Sequence, residues 1–328
     1  MPVTDGKTTR GPELMTSQSR WGVPVELGEG RVLREGRLRW LRAVAWMAAL
    51  FFLVPLAFGP AMEAIRDLLP KDDVRLEFLT RCLAAAAALG AYALLVRLGE
   101  ARAPREVALA PAALQLLAGL GLGLAMFTAV MAVMVASGLY EVTVVGAAPA
   151  WRPAGLAIEA GVIEELLIRG IVLRLTWRAF GPAPAFILSA ALFGAGHLPN
   201  PDSTLFAALC IALEAGLMLG ALYALTGRLW VPIGAHIAWN FAQGYLFGAA
   251  VSGGDLGTSI ARSTANPGMP AWLTGGAFGP EASLPALIVC TGVGLAALWL
   301  AWKAGRFSGG TPTAAPAETP AVLASTRP

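Results

Sequence analysis

The stretch AALQLLAGLGLGLAMFTAVMAVMVASG, residues 112–138, contains no charged side chain. At a rise of 1.5 Å per residue, about 20 apolar residues of α-helix cross the hydrocarbon core of a bilayer. The stretch therefore predicts a transmembrane helix. Further apolar segments raise the predicted number of spans to about eight, although the fifth is short and the fourth carries charges; these segments are 43–61, 79–98, 154–177, 183–198, 204–226, 229–250 and 284–303.

The overall composition supports the same fold class. Of 328 residues, 56% are hydrophobic and 14% are charged, and the mean hydropathy is +0.65. A soluble domain carries roughly 25% charged residues, so this chain has too little polar surface to cover a water-facing globule. We therefore expect an all-α, polytopic membrane helical bundle with a conical or cavity-containing core. No block of Lys and Arg is interleaved with aromatic residues, which argues against nucleic acid as a partner and leaves the lipid bilayer.

Basic residues predict the orientation of the bundle, because cytoplasmic loops are enriched in Lys and Arg. With the N-terminus inside, the cytoplasmic segments hold 17 basic residues and the opposite segments hold 6, with Arg169 set aside as intramembrane. This distribution predicts a multi-pass integral membrane protein with both termini in the cytoplasm. The abundance of Ala, Gly, Leu and Arg favours a bacterial protein, which would lie in the inner (plasma) membrane.

Ionisable side chains inside the predicted spans are the candidates for function. Each costs at least roughly 2.5–3.5 kcal/mol to insert and usually faces the bundle interior. The two histidines of the chain are both among them. The full set is Glu159, Glu164, Glu165, Arg169, His197, Glu214 and His236.

Glu164 and Glu165 lie next to each other in GVIEELLIRG, so their side chains point about 100° apart on a helix. Glu165 and Arg169 are four residues apart and face one side, which suits an ion pair. Glu164 is left without a partner nearby in the sequence, as expected of a general base. A solvated helix end or a purely architectural ion pair is the alternative interpretation.

The histidines are each accompanied by a neighbour one helical turn away. Phe193 precedes His197, and Asn240 follows His236 on the same helix face. A carboxylate, two imidazoles and an amide on three helices can activate a water molecule and stabilise an oxyanion. The same residue types allow a second interpretation, in which Zn²⁺ or another divalent metal is held by Glu164, His197 and His236. The zincin motif HExxH is absent.

Three short motifs in this order resemble those of a known family. EELLIR (164–169), FGAGH (193–197) and HIAWN (236–240) resemble the EExxxR, FxxxH and HxxxN/D motifs of the CAAX-protease and bacteriocin-processing family, also called CPBP or Abi. That family includes the type II CAAX prenyl endopeptidase. The resemblance covers about residues 150–250, which correspond to the family's core of four helices.

The resemblance implies an intramembrane endopeptidase that acts on a membrane-associated protein or peptide. Glu164 would activate water with help from His197, and His236 and Asn240 would stabilise the oxyanion. Glu165, Arg169 and Phe193 would then support these residues. Members are commonly called metalloproteases, but the same side chains support a glutamate-based mechanism, so a metal requirement stays open.

The predicted organisation follows from these segments. Between a disordered N-terminal tail and a disordered C-terminal tail, we expect three helices, the four-helix core, a Gly-rich loop that contains GGAFGPEAS, and a final helix. The N-terminal tail covers 1–40 and the C-terminal tail covers 304–328. The three helices lie in 41–140, the four-helix core in 150–250, the Gly-rich loop in 251–283 and the final helix in 284–303. Cys82, Cys210 and Cys290 lie in apolar runs and are predicted to be free thiols.

Two other functions fit parts of the pattern. A non-catalytic immunity or scaffold protein could use the same fold for binding, although it would have no need of Glu164. A proton-coupled transporter could relay protons through Glu164 and Glu214, but the halves of matching hydropathy that are common in transporters are not visible.

Counting from the span ends places His197 about 20 Å and His236 about 10 Å from the cytoplasmic face. The two histidines therefore meet only if the fifth helix is sunk or tilted.

Overall fold

The computed structural model describes residues 22–70 and 73–307, and helices dominate it. Of the described elements, α4, α6 and α7 each join α-helical and π-helical turns without a break. The order is α1 Arg39–Leu68, α2 Val74–Glu100, α3 Ala112–Ala136, β1 Tyr140–Val144, α4 (Trp151–Glu165, Leu166–Leu173 and Arg174–Phe180), α5 Pro182–Gly196, α6 (Leu205–Ile211, Ala212–Leu217 and Met218–Thr226), α7 (Trp230–Phe241 and Ala242–Leu246), β2 Ala261–Ala265, α8 Ala271–Thr274 and α9 Leu284–Lys303.

Each of the predicted apolar segments coincides with one of the helices α1–α7 and α9. Within the described ranges, α1, α2, α3, α6 and α9 are long and apolar enough to cross a membrane, and α5 is a shorter apolar helix. The predicted all-α polytopic bundle is therefore confirmed. The predicted shortness of the fifth segment is also confirmed, because α5 has 15 residues.

Three helices widen locally into π-helix, which is rare and often lies at functional sites. The π-helical turns cover Leu166–Leu173 in α4, Ala212–Leu217 in α6 and Ala242–Leu246 in α7. Glu165 immediately precedes the first of them and Glu214 lies inside the second. The irregular turns thus occur on the three helices that carry all of the predicted intramembrane ionisable groups except His197.

Helices α3 and α7 approach closely because glycines line their contact. A Cβ added to Gly119 would lie 2.2 Å from the carbonyl oxygen of Val231, and one added to Gly123 would lie 2.1 Å from that of Ala235. Small residues allow such backbone contact between membrane helices. The contact fixes the part of α7 that carries His236.

A buried cluster of charges joins α4 to the connection between α2 and α3. Arg174 is fully buried and its Nη2 donates to Glu100 Oε1 at 2.7 Å. Arg102 Nη2 donates to Glu106 Oε1 at 2.7 Å, and the Tyr92 hydroxyl also donates to Glu106. The distribution of basic residues predicts that this end of the bundle is cytoplasmic. The sequence contains no signal that Arg174 is completely buried there.

The N-terminal tail predicted over 1–40 falls partly outside the described residues, which begin at Gly22. The described part, from 22 to 38, packs against the bundle, since Val25 and Leu33 are buried. These two apolar side chains are too few to produce a helical or strand periodicity in the sequence.

The C-terminal tail predicted over 304–328 lies mainly outside the described residues as well, since they end at Phe307. The Phe307 ring stacks on Trp177, with 5.5 Å between the ring centroids. Arg306 Nη2 donates to the carbonyl oxygen of Gly22 at 3.0 Å. The two ends of the described chain therefore meet at one end of the bundle.

A small antiparallel sheet lies at the other end of the bundle, and its second strand falls in the segment predicted as a Gly-rich loop. β1 pairs with β2 in a register that places Tyr140 opposite Ala265 and Val144 opposite Ala261. The predicted loop over 251–283 thus contains β2 and α8. β-branched residues dominate β1, which is the local signal for this strand.

Candidate active site

The ion pair predicted within the EELLIR motif is present in α4. Glu165 and Arg169 are both completely buried, and Arg169 Nη1 lies 2.7 Å from Glu165 Oε1. Arg169 Nη2 also donates to the carbonyl oxygens of Ala215 at 2.5 Å and Gly216 at 3.3 Å in α6. Both are carbonyls of the π-helical turn of α6. The pair therefore ties α4 to α6 at the level of the motif.

His236 lies between the two adjacent glutamates. Its Nδ1 is 2.9 Å from Glu165 Oε1, and its Nε2 is 3.9 Å from Glu164 Oε2. The imidazole is nearly buried, whereas 37% of the Glu164 side chain is exposed. Because an ionised carboxylate only accepts, Nδ1–H of His236 donates to Glu165. This hydrogen bond fixes the ring and directs Nε2 toward Glu164.

Phe193 connects the two histidines. Its ring centroid lies 4.9 Å from that of His197 and 6.2 Å from that of His236, so the imidazoles are no farther apart than the sum of these distances. The guanidinium of Arg169 lies 4.5 Å above the same ring, a cation–π contact. The two histidines, which were expected to meet only if the fifth helix is sunk or tilted, therefore do lie close together.

His197 follows the last residue of α5, and its ring is fixed by its own helix. Nδ1 is 2.8 Å from the carbonyl oxygen of Phe193 and can only donate to it. In the neutral ring, Nε2 is then unprotonated and is free to accept a hydrogen bond. The one-turn spacing in FGAGH therefore both brings the two rings into contact and sets the tautomer of His197.

Two adjoining cavities contain the predicted site residues. The outer cavity is lined by Glu164 together with Leu156, Ala157, Ala160, His197, Asn200, His236, Asn240, Val251, Ser252 and Leu256. The inner cavity is lined by His197, His236, Asn240 and Ser252 again, and by residues outside the motifs, including Glu214 and Glu281. The four predicted catalytic side chains therefore share the outer cavity.

Glu281, from the GGAFGPEAS segment, is a site residue that sequence reasoning did not assign. Its Oε1 accepts from the backbone N–H of Ser252 at 2.5 Å and from the Ser252 hydroxyl at 2.8 Å. Trp239 Nε1 lies 3.4 Å from Oε2. Gly279, two residues earlier, has φ +122°, and an added Cβ would lie 2.2 Å from the Ala250 oxygen. The Gly-rich composition of the segment was the available signal for this turn.

A metal site at Glu164, His197 and His236 would need their ligand atoms to converge on one point. Both histidines have Nδ1 hydrogen-bonded and Nε2 available, as metal-binding histidines usually do. However, no group of three or more His, Cys, Asp and Glu side chains in residues 22–70 and 73–307 is placed to hold an ion. Glu164, His197 and His236 therefore do not form a metal site in this arrangement.

The fold and the cavities define a polytopic helical membrane protein with ionisable groups gathered between its helices. Residues 146–242 match the protein family described as Rce1-like, type II CAAX prenyl endopeptidase Rce1-like. The resemblance to CAAX proteases is thereby confirmed over this segment, which contains all three motifs. No curated protein and no solved structure matches the chain.

Proposed function

We propose that the protein is an intramembrane endopeptidase of the CAAX-protease type, which hydrolyses a peptide bond in a membrane-associated protein or peptide. The observation that carries the proposal is the outer cavity, where Glu164, His197, His236 and Asn240 face one space. A carboxylate base and donors for an oxyanion are the two requirements of peptide hydrolysis by an activated water. The family match over residues 146–242 supports the same activity.

In the proposed mechanism, a water molecule lies between Glu164 and His197. Glu164 takes one proton as the water oxygen attacks the peptide carbonyl carbon, and the unprotonated Nε2 of His197 accepts a hydrogen bond from the other. The protonated Glu164 then transfers its proton to the leaving amine nitrogen as the C–N bond breaks. The hydrogen bond from His197 Nδ1–H to the carbonyl oxygen of Phe193 leaves Nε2 as the acceptor and so supports this role.

Asn240 and His236 are proposed to stabilise the oxyanion that forms from the peptide carbonyl oxygen. The amide of Asn240 donates directly. His236 donates from Nε2 only when it is doubly protonated, because its Nδ1–H is held by Glu165. The carboxylates on both sides of the ring, Glu165 and Glu164, offset the charge of that imidazolium. Glu165 is therefore a positioning residue, and no step is assigned to a metal.

A comparison of two Glu→Gln variants tests the proposal. We expect the full-length protein, purified in detergent, to cleave members of a library of transmembrane and juxtamembrane peptides. Glu164→Gln removes the base and should lower kcat by roughly 10²–10⁴-fold. Glu141→Gln makes the same change at an exposed position on β1 and should leave kcat unchanged.

Each assay is repeated with a chelator and with added Zn²⁺. Activity that persists in chelator supports the metal-free steps, whereas complete loss that Zn²⁺ restores would require a rearranged site with Glu164, His197 and His236 as ligands. Cleavage by Glu164→Gln at the wild-type rate would exclude Glu164 as the base. Absence of cleavage across the library would count against the peptidase assignment itself.

A further inference from the structure

The inner cavity contains two buried carboxyl groups that the proposed hydrolysis does not use. Glu214 in the π-helical turn of α6 is 2% exposed, and Glu281 before α9 is 3% exposed. Both line the cavity beyond His197 and His236. Buried carboxylates are costly unless they are paired, so their presence in this cavity calls for a partner.

The two carboxyl groups differ in what they bind. Glu281 accepts hydrogen bonds from Ser252 and faces Trp239, as described above. Glu214 Oε1, in contrast, is fully buried and has no hydrogen-bond partner in the described part of the chain. It is a hydrogen-bond acceptor that lines the inner cavity. A donor supplied from outside the protein would satisfy it.

The charge of the lining indicates what kind of donor fits. Among the described residues, neither cavity is lined by Lys or Arg, while Glu164, Glu214 and Glu281 line one or the other. Arg169 is already engaged by Glu165 and two carbonyl oxygens. Among the described residues, the only cationic group that lines these walls is therefore the His236 imidazolium of the proposed mechanism, and Glu164 and Glu165 flank it.

The rest of the inner cavity is apolar. Its walls include Phe193, Ile211, Met218, Leu219 and Trp239. Lys and Arg side chains combine an apolar stem with a cationic head, and they bury the stem along apolar surfaces. His197, His236, Asn240 and Ser252 line both cavities, so a side chain next to a peptide bond in the outer cavity can extend into the inner one.

We propose that the inner cavity is a specificity pocket for a basic side chain, Lys or Arg, that flanks the scissile bond of the substrate. The apolar walls contact the stem, and Glu214 and Glu281 bind the cationic head. The proposal rests on the proposed peptidase function for its role in cleavage. Binding of a cation in the pocket does not depend on cleavage.

The binding test uses n-butylamine, which reproduces the end of a Lys side chain, and 1-butanol as its neutral counterpart. In the full-length Glu164→Gln protein, in which cleavage is expected to be slow, we expect butylamine to bind and to raise Tm more than butanol at the same concentration. Adding Glu214→Gln, or separately Glu281→Gln, should weaken butylamine binding at least roughly tenfold, as expected for a charged hydrogen bond. Adding Glu141→Gln should not.

Equal effects of butylamine and butanol would overturn the proposal and indicate a pocket that holds only water or apolar groups. Retention of butylamine binding in both Glu214→Gln and Glu281→Gln would overturn it as well. The Tm of each variant without ligand reports whether it is folded, and the two variants provide independent tests if one of them is unstable.

The cleavage test replaces each Lys or Arg near the bond in a cleaved peptide by norleucine. We expect that, at one position of the peptide, this replacement lowers kcat/KM at least roughly tenfold in the wild type. In Glu214→Gln, the same replacement should lower kcat/KM by a smaller factor. Cleavage that is insensitive to basic residues, without butylamine binding, would refute the pocket and leave the peptidase assignment intact. Butylamine binding without any peptide cleavage would support the pocket and refute the peptidase assignment.

Discussion

Glu164 and Glu165 are neighbours in the chain, yet their side chains have different surroundings. Glu165 is completely buried between Arg169 and His236, whereas more than a third of the Glu164 side chain is exposed. The 100° between adjacent helical positions produces this division. One carboxylate can therefore hold the imidazole while the other meets water in the cavity.

The Glu165–Arg169 pair gives a first prediction at this scale. Glu165→Gln leaves the Arg169 charge buried without its counter-ion, and we expect a loss of roughly 3–5 kcal/mol of stability. Replacing both residues by Met removes both charges and should recover most of the Tm but not the activity, because His236 loses its partner in either case. Thermal unfolding in detergent and the peptide assay measure the two effects. Equal Tm values for the single and double variants would contradict this account.

Glu106 gives a prediction on pH, since it lies between α2 and α3 and outside the spans. Burial raises its pKa, but the hydrogen bond from Arg102 and the charges of Arg174 and Arg102 lower it by more, so the pKa falls below the ordinary value of 4.5. A lowered pKa stabilises the folded state above about pH 4.5, and this contribution is lost as the pH falls through the folded-state pKa. We expect Glu106→Gln to be less stable than the wild type at pH 7.

The difference in Tm between wild type and Glu106→Gln should then shrink as the pH is lowered from 5 to 3. A difference that stays constant over this range would show that Glu106 contributes through packing rather than charge. Glu141→Gln, at an exposed position, provides the control and should track the wild type throughout.

The candidate site was predictable from sequence only where its contacts are local. The pairs Glu165–Arg169 and Phe193–His197 are each four residues apart, so helical geometry alone places them together. Glu281 reaches Ser252 and Trp239 across 29 and 42 residues, and no periodicity records such contacts. Glu214 was recognisable as an unexplained charge in an apolar helix, but the cavity it lines is formed by other helices.

Among the elements, α3 and α7 make the contact that most directly sets the position of His236. Gly119 and Gly123 face α7, whereas an added Cβ at Gly121 would have nothing within 4 Å. The hydropathy of 112–138 predicted the helix, but not which face is packed. All three glycines lie in one run of small and apolar residues, so hydropathy does not distinguish them.

A prediction about helix packing follows from this contact. Gly123→Ala places a methyl group 2.1 Å from the Ala235 oxygen, which must push α7 away and shift His236. We expect a lower Tm and at least roughly a tenfold loss of kcat, because misplacement by about 1 Å can cost 10²-fold. Gly121→Ala makes the same change on the open face and should behave as the wild type in both assays. Indistinguishable results for the two variants would contradict the importance of the contact.

At the scale of the whole molecule, the two described ends of the chain lie together and the outer cavity lies toward the opposite end. Arg306 contacts Gly22 at the first end. The outer cavity is lined by residues from the first turns of α4, by Asn200 after α5, and by Ser252 after α7. If both termini are cytoplasmic, as the basic residues predict, the cavity opens to the other side of the membrane.

Cysteine labelling on intact cells tests this orientation. In a variant with Cys82, Cys210 and Cys290 replaced by Ala, we expect a membrane-impermeant maleimide to label Val145→Cys, which follows β1. Leu38→Cys, which precedes α1, should be labelled only after the cells are opened. Both positions are more than half exposed. The reverse pattern would place the termini and the cavity on the opposite sides.

The shortness of α5 has a consequence for the surrounding lipid. Its 15 residues span about 22 Å, less than the roughly 30 Å of hydrocarbon in a typical bilayer, and Ile187 is 71% exposed on its surface. If α5 crosses the bilayer, thinning of the lipid beside it would match this length and bring the water boundary toward His197. Acyl-chain length then becomes a regulator: vesicles with shorter chains should relieve this deformation and give faster cleavage than vesicles with longer chains.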